Sequence, residues 1–238
     1  MRAMCGRYVS PEQAAIERAW HIGRHNNNPF RRRFNVLPTT NVPILRRAAD
    51  ANEIELTEAR WGLIPHWWSK PKPPTSTINA RSEEAAGKPM WRHPYRNARC
   101  LIPAVGWYEW KPMERTDPAT GEVKTYKQPF YLRVEREGPV CFAGLMSIWT
   151  PEGGEPRLTC AIMTRSPSPS AAEIHDRMPV ILRESAHRDW LNPEMNDAAN
   201  VAEIIATKTI DEVRHYPVST RINSAKTDDE KLIEPTRD

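Results

Sequence analysis

A chain of 238 residues, 39% hydrophobic and 27% charged, has the length of one large domain and the composition of a globular protein. No apolar run approaches the roughly 18 residues of a membrane span, and no apolar segment at the start resembles a signal peptide. Four cysteines (5, 100, 141 and 160) lie far apart without a Cys-x-x-Cys pair, which argues against zinc and against a disulfide framework and fits a reducing cytoplasm.

The net charge of +4 conceals an asymmetry. Residues 1–100 carry 17 Lys/Arg against 8 Asp/Glu, whereas residues 101–238 carry 17 against 22. Seven of the nine tryptophans (20, 61, 67, 68, 91, 107 and 110) fall within the first 110 residues. Rings among cations suit single-stranded nucleic acid, since bases stack on the rings while cations follow the phosphates. The charge count by itself fits an ordinary solvated surface equally well.

In chain order, Met4-Cys5-Gly6-Arg7-Tyr8 comes first, followed by a helix start at Ser10-Pro11-Glu12-Gln13, with Ser10 as cap and Gln13 completing a capping box. His21-Ile22-Gly23 ends that helix, and residues 24–33 form a loop closing on Arg31-Arg32-Arg33. An extended segment begins at Phe34-Asn35-Val36-Leu37-Pro38. Short strands are expected at Val42–Leu45, Ile54–Leu56 and Arg60–Pro65, with a turn at Asp50-Ala51-Asn52 and a proline-rich loop after Trp67-Trp68. Ile78–Glu83 leads into a short helix. Cys100–Ala104 and Gly106–Trp110 read as a strand pair around a tight connection, and residues 112–127 as a long polar hairpin loop. Strands follow at 128–134, 140–146 and 158–164, then a short helix from Ser168-Pro169, a strand at Val180-Ile181-Leu182, and helices at 185–191 and 197–206. The sum is a single α+β domain with a mostly antiparallel, barrel-like β core and peripheral helices, spanning 5–224, with a leader at 1–4 and a tail at 225–238.

Several residues could carry chemistry. Cys5, if exposed as residue one, would offer a thiol and an α-amine on adjacent carbons, titrating near ~8.5 and ~8. Such a 1,2-aminothiol condenses with an aldehyde to close a five-membered thiazolidine. The alternative is a buried residue of an N-terminal strand. Asn79, Arg81 and Glu83 alternate, so a strand carried that far would put all three on one face, as a polar cluster or a solvated edge. Glu109, between Tyr108 and Trp110, suits proton transfer with a raised pKa, or a buried salt bridge. His175 can act as acid or base and Arg177 can grip a phosphate, or the two belong to a helix end and a surface ion pair. Trp67-Trp68 should leave at least one ring exposed, whereas Cys100, Cys141 and Cys160 belong in the core.

These segments together resemble the SOS-response-associated peptidase (SRAP) family of abasic-site processing proteins. The resemblance rests on Cys5-Gly6-Arg7-Tyr8, Phe34–Pro38, Arg60–Pro65 with Trp67-Trp68, Ile78–Glu83, Cys100–Ala104 with Gly106–Trp110, and His175–Pro179, in family order. It implies a monomeric β-rich domain, needing no cofactor or metal, that binds single-stranded DNA and crosslinks abasic sites through Cys5, with lyase and self-processing peptidase activity possible beside it. Asn79 would orient the Cys5 amine, Glu109 would shuttle protons, and His175 would assist and promote reversal. Arg7, Arg81 and Arg177 would hold flanking phosphates, while Trp67, Trp68, Leu37 and Pro38 would stack on or wedge apart bases. Two departures stand out: Met1-Arg2-Ala3 precede Met4, so Cys5 needs processing to become N-terminal, and Leu37 stands where smaller residues are common. A thiol peptidase built on Cys5, His175 and Asn79, and a non-catalytic single-strand binding module, are the alternatives.

Overall fold

Six consecutive residues, Arg99–Ala104, are all buried, as a strand covered on both faces requires. In the computed structural model of the chain, which describes residues 5–22, 29–48, 53–70, 74 and 77–236, this strand is β6. It joins β3 (Asn41–Arg47), β4 (Ile54–Trp61), β10 (Arg157–Arg165) and β9 (Val140–Trp149) in a closed five-stranded barrel. Every pairing in that ring is antiparallel except β4 with β10. The short strands β5 (Asn79–Arg81), β11 (Met178–Pro179) and β12 (Ile181–Leu182) add to β10 and β9. A second, wholly antiparallel sheet runs β13 (Val213–Pro217), β8 (Val123–Val134), β7 (Gly106–Thr116), β1 (Tyr8–Ser10), β2 (Arg33–Val36). Helices α1 (Gln13–Trp20), α2 (Ser82–Ala85), α3 (Pro89–Asn97), α4 (Pro169–Ala172), α5 (His187–Leu191) and α6 (Ala198–Thr207) lie outside the sheets. The single α+β domain with an antiparallel barrel core is thus as the sequence suggested. Among the described residues no helix is long and apolar enough to cross a membrane.

The two-residue period of the barrel strands builds two cores at once. Cys100, Ile102, Phe142, Cys160 and Ile162 pack with Tyr8, Trp61 and Trp107 between the sheets. Their neighbours Leu101, Cys141, Ala143, Ala161 and Met163 pack with Tyr95 of α3, Trp190 of α5 and Ile204 of α6. The cysteines at 100, 141 and 160 are buried free thiols, as expected. The helical layer is fastened by one buried cation. Arg99 donates Nε to the Trp190 carbonyl at 2.6 Å, Nη1 to the Tyr95 carbonyl at 2.9 Å and Nη2 to the Asn192 carbonyl at 2.6 Å. It therefore satisfies carbonyls left over at the ends of both α3 and α5, where a positive charge also complements the helix dipoles.

Four local expectations fail for identifiable reasons. Ser10 does not cap α1; it ends β1, Glu12 precedes the helix without a side-chain cap, and the Gln13 side chain instead accepts from the Phe30 N–H at 3.1 Å. Arg60-Trp61 is not a separate strand but the end of β4. Cys100–Ala104 and Gly106–Trp110 are not paired with each other: the chain crosses at Val105 from the barrel to the second sheet. Gly106 is needed at that crossing, because a Cβ there would lie 2.5 Å from the Leu132 carbonyl oxygen. Most of 112–127 is strand, with β7 and β8 continuing as a long ribbon that turns only between 116 and 123. Asp50-Ala51-Asn52, Gly23 and the leader 1–4 lie outside the described residues. The segment after Ser224 packs back on β2: Asp228 Oδ1 accepts from the N–H groups of Phe34 and Asn35, and Leu232 is buried.

Candidate functional site

β1 has three residues, yet it decides where Cys5 goes. Its pairing of Tyr8 with Trp107 lays the start of the chain beside the β7 stretch that carries Glu109. Cys5 takes a left-handed φ of +36°, a conformation a non-glycine residue adopts only when its surroundings hold it there. The hold is visible: the Cys5 backbone N–H donates to Glu109 Oε1 at 2.9 Å, and the thiol also hydrogen-bonds the carboxyl group. Both residues are buried.

Burial dictates the electrostatics. Desolvation pushes the Glu109 carboxyl up to about 8, and the hydrogen bonds from Cys5 oppose only part of that rise. Burial, then the adjacent Glu109 charge, push the Cys5 thiol well above its usual range. A carboxyl group that changes charge near neutrality can both give and take a proton under working conditions. On its other side, Glu109 Oε2 lies 3.8 Å from His175 Nε2. The His175 Nδ1 accepts from the Arg177 N–H at 3.2 Å, which in the neutral ring leaves the proton on Nε2, facing Glu109. Asp176 Oδ1 lies 3.1 Å from the same Nδ1.

Arg177 is committed within the fold. Its guanidinium grips Glu83 with two bonds of 2.8 Å and gives a third to the Thr164 carbonyl at 2.8 Å. Glu83 is consequently held below its ordinary range, chiefly by those hydrogen bonds. Glu83 reaches Arg177 from helix α2 rather than from β5, since the strand ends at Arg81; the expected three-residue alternation stops one residue short. Arg81 is exposed and sits 3.6 Å from Glu84. Asn79 opens β5 and pairs in register with Ile162; Ile78, the residue before the strand, lines the cleft, whereas Asn79 is not among its lining residues.

The carboxyl and imidazole open into a cleft of about 560 Å³. Its walls include Gly6, Arg7, Leu37, Pro38, Ile78, Glu109 and His175, which brings the start of the chain, the Leu37-Pro38 segment, Glu109 and His175 to one place. Arg7 donates to Asn35 Oδ1 and to the Ile222 carbonyl, both at 2.9 Å, which fixes its charge at the rim. Trp67 and Trp68 stand apart from this cleft. Trp67 is 50% exposed and its ring centroid lies 6.1 Å from that of Trp68, so at least one ring is free to stack. Lys70 lies over the Trp68 ring at 5.4 Å.

Sequence reasoning missed the far wall. Trp110, Pro112 and Lys127 come from the β7–β8 ribbon, and Asn223 anchors the Trp110 indole at 2.8 Å. The long apolar-to-polar gradient of β7 was the available signal, but it read as a loop. Glu83 as the clamp on Arg177 was also hidden, because the pair is 94 residues apart. Among the described residues no group of three or more His, Cys, Asp or Glu side chains is arranged to hold a metal ion.

This fold and constellation have counterparts. The chain is 36% identical over 238 residues to the abasic site processing protein YoqW of Bacillus subtilis, covering 97% of this chain and 99% of that one. It is 31% identical over 210 residues to the abasic site processing protein YedK of Escherichia coli, covering 85% and 84%. A crystal structure of a protein from Bacteroides thetaiotaomicron superposes with a TM-score of 0.78 at 24% identity, over 98% of this chain and 100% of that one, which speaks for the fold. Residues 4–225 match the family described as SOS response associated peptidase. The resemblance first read from six short segments therefore holds over nearly the whole chain, and the chain belongs to the SOS response associated peptidase (SRAP) family.

Proposed function

We propose that this chain processes abasic sites in single-stranded DNA by capturing them covalently on Cys5, once residue 5 has become N-terminal. Relatives of this chain are named abasic site processing proteins, which supports the lesion as its target. The observation that carries the reading is the 2.9 Å contact between the Cys5 nitrogen and the buried Glu109 carboxyl group. With residues 1–4 removed, that nitrogen is the α-amine. Its lone pair attacks the C1′ aldehyde of the ring-opened deoxyribose, one amine proton passes to the carbonyl oxygen to give a carbinolamine, the protonated Glu109 gives that oxygen its second proton, and water leaves to form an iminium ion. The Cys5 sulfur then attacks the iminium carbon while its proton passes to Glu109. The net change is one thiazolidine formed and one water lost.

The remaining roles are those the family resemblance implies. His175, with its Nε2–H towards Glu109, would exchange protons with it and with the sugar, both in opening the hemiacetal and in reversing the ring. Asn79 would orient the amine. Arg7 would hold a phosphate at the rim, while Arg81 and Arg177 would hold phosphates on the β5 side, Arg177 trading part of its grip on Glu83 for the DNA. Leu37 and Pro38 would wedge bases and Trp67 and Trp68 stack on them.

A thiol peptidase using Cys5 and His175 is less well supported, because Glu109 stands between the two and burial holds the thiol proton on sulfur. Acetylating the mature α-amine while sparing the thiol separates these readings. It should abolish the DNA adduct; an adduct that survives acetylation sinks the mechanism.

A further inference from the structure

The Leu37-Pro38 rim has a second side. Thr39, the next residue, adopts a left-handed φ of +68°, and beyond it opens a separate depression of about 570 Å³. Arg60 and Arg157 line it, from the end of β4 and the start of β10, with Asn41 and Glu58. The two arginines lie close enough for the charge of Arg157 to lower the Arg60 pKa, adding to the effect of burial. Arg33 approaches from β2: its Nη1 donates to the Thr40 hydroxyl at 3.3 Å and to the Asn41 carbonyl at 3.4 Å, and Asn41 is the register partner of Arg60.

One carboxylate, Glu58, lines the depression beside these guanidinium groups, without forming an ion pair with any of them. Among the described residues the side chains of Arg33, Arg60 and Arg157 make no ion pair, and the Arg157 guanidinium makes no hydrogen bond, its backbone alone being held in the β9–β10 ladder. Glu58, the acid in the depression, is engaged by the Asn41 side-chain amide at 3.3 Å. Arg60 is moreover held in place: its Nη1 donates to the Gly62 carbonyl at 2.7 Å, and a Cβ at Gly62, which has φ +132°, would lie 2.8 Å from that nitrogen. Glycine at 62 thus lets the Arg60 guanidinium fold against the backbone at the wall of the depression. Like charges gathered on a rim, one of them fixed by the backbone, repel one another until an anion arrives. A planar fork of donors is suited to phosphate oxygens.

We propose that Arg60 and Arg157, backed by Arg33, form a second phosphate-binding site for the captured strand, beyond the Leu37-Pro38 rim and outside the lesion cleft. The site rests on the abasic-DNA reading above and extends it: the partner is the phosphodiester backbone of the nucleotides flanking the lesion on one side. Residue 38 borders the lesion cleft and residue 39 the depression, so a strand leaving over the rim meets these arginines next.

The test uses the full chain and single-stranded oligonucleotides carrying tetrahydrofuran, a lesion analogue without an aldehyde, so that binding is read apart from crosslinking. Anisotropy titrations compare wild type with Arg157→Ala and Arg157→Glu on a strand with the lesion analogue at its centre and on strands truncated just 5′ or just 3′ of it. Loss of one phosphate contact removes about 0.7 of a released counterion. The salt slope should therefore fall by about 0.7 and affinity by roughly fivefold at 0.1 M salt for the Ala variant, more for Glu. One of the two truncations should erase the difference from wild type, and the crosslinking rate at saturating abasic DNA should not change. Unaltered affinity for the full strand, or a loss that persists with both truncated strands, overturns the proposal. If wild type binds the analogue yet never crosslinks an abasic strand, the capture reading fails while the Arg157 result still stands or falls by itself.

Discussion

Replacing Glu109 with glutamine tests the electrostatic core of the site through stability as well as chemistry. A glutamate titrates near ~4.3 in an unfolded chain, whereas burial raises Glu109 to about 8 in the fold. Between those values the folded state holds a proton that the unfolded state has released. Stability from this group is therefore fully present below the unfolded pKa and is lost as pH rises through the folded one. At about 1.4 kcal/mol per pH unit the loss approaches roughly 5 kcal/mol above pH 8, an upper bound because the carboxyl group opens on the cleft. Glutamine mimics the protonated acid at every pH. Urea midpoints of chains that retain residues 1–4 should fall for wild type between pH 5 and 8 at constant salt, while Glu109→Gln stays nearly level and becomes the more stable protein at pH 8. Parallel pH profiles would refute the reasoning. In the processed chain an α-ammonium would sit against the same carboxyl group and pull its pKa down, so the wild-type slope should shrink.

The same variant should slow adduct formation by about a hundredfold or more, the usual worth of a positioned acid–base group, with little change in affinity for the uncleavable analogue; equal losses in both assays would make Glu109 structural. Cys5→Ser in the processed chain keeps the amine and should give an imine that borohydride traps but no adduct that survives heating without it; a heat-stable serine adduct would contradict sulfur as the ring-closing atom. Arg99→Met should cost about 3 kcal/mol or more in chemical denaturation, since it leaves the carbonyls of Tyr95, Trp190 and Asn192 buried without their donor; a loss under 1 kcal/mol would mean that water replaces the guanidinium. Gly106→Ala should destabilise by roughly 2 kcal/mol or more through the clash with the Leu132 carbonyl, again read from the urea midpoint.

Strands β6, β9 and β10 were legible because they are apolar runs, buried over most of both faces and so without polar alternation. The β6–β7 junction was not. Nothing in Ala104-Val105-Gly106 distinguishes a hairpin from a crossing between sheets, and only the partners of each strand decide it. The β7–β8 ribbon was misread for a different reason. Outside the core its residues are polar, so its ladder of paired backbones carries the structure with no hydrophobic pattern to announce it. At the site, Cys5, Glu109 and His175 could be picked out by chemistry, since an early cysteine, an acid among aromatics and a histidine at a helix end are each conspicuous. Their convergence could not be read that way: it depends on Tyr8 pairing with Trp107 and on α4 returning the chain towards β7. The unpaired arginines at 60 and 157 were invisible for the same cause, since residues 97 positions apart become neighbours only through the parallel pairing of β4 with β10.

The central claim is that the Cys5 amine and thiol together take up the lesion, and the intact mass of the protein before and after incubation with abasic single-stranded DNA tests it most directly. The account predicts one new species, equal to the chain beginning at Cys5 plus the oligonucleotide minus one water, and none on any chain that still carries residues 1–4. An adduct on the unprocessed chain, or a fully processed chain that gains no mass, would contradict it.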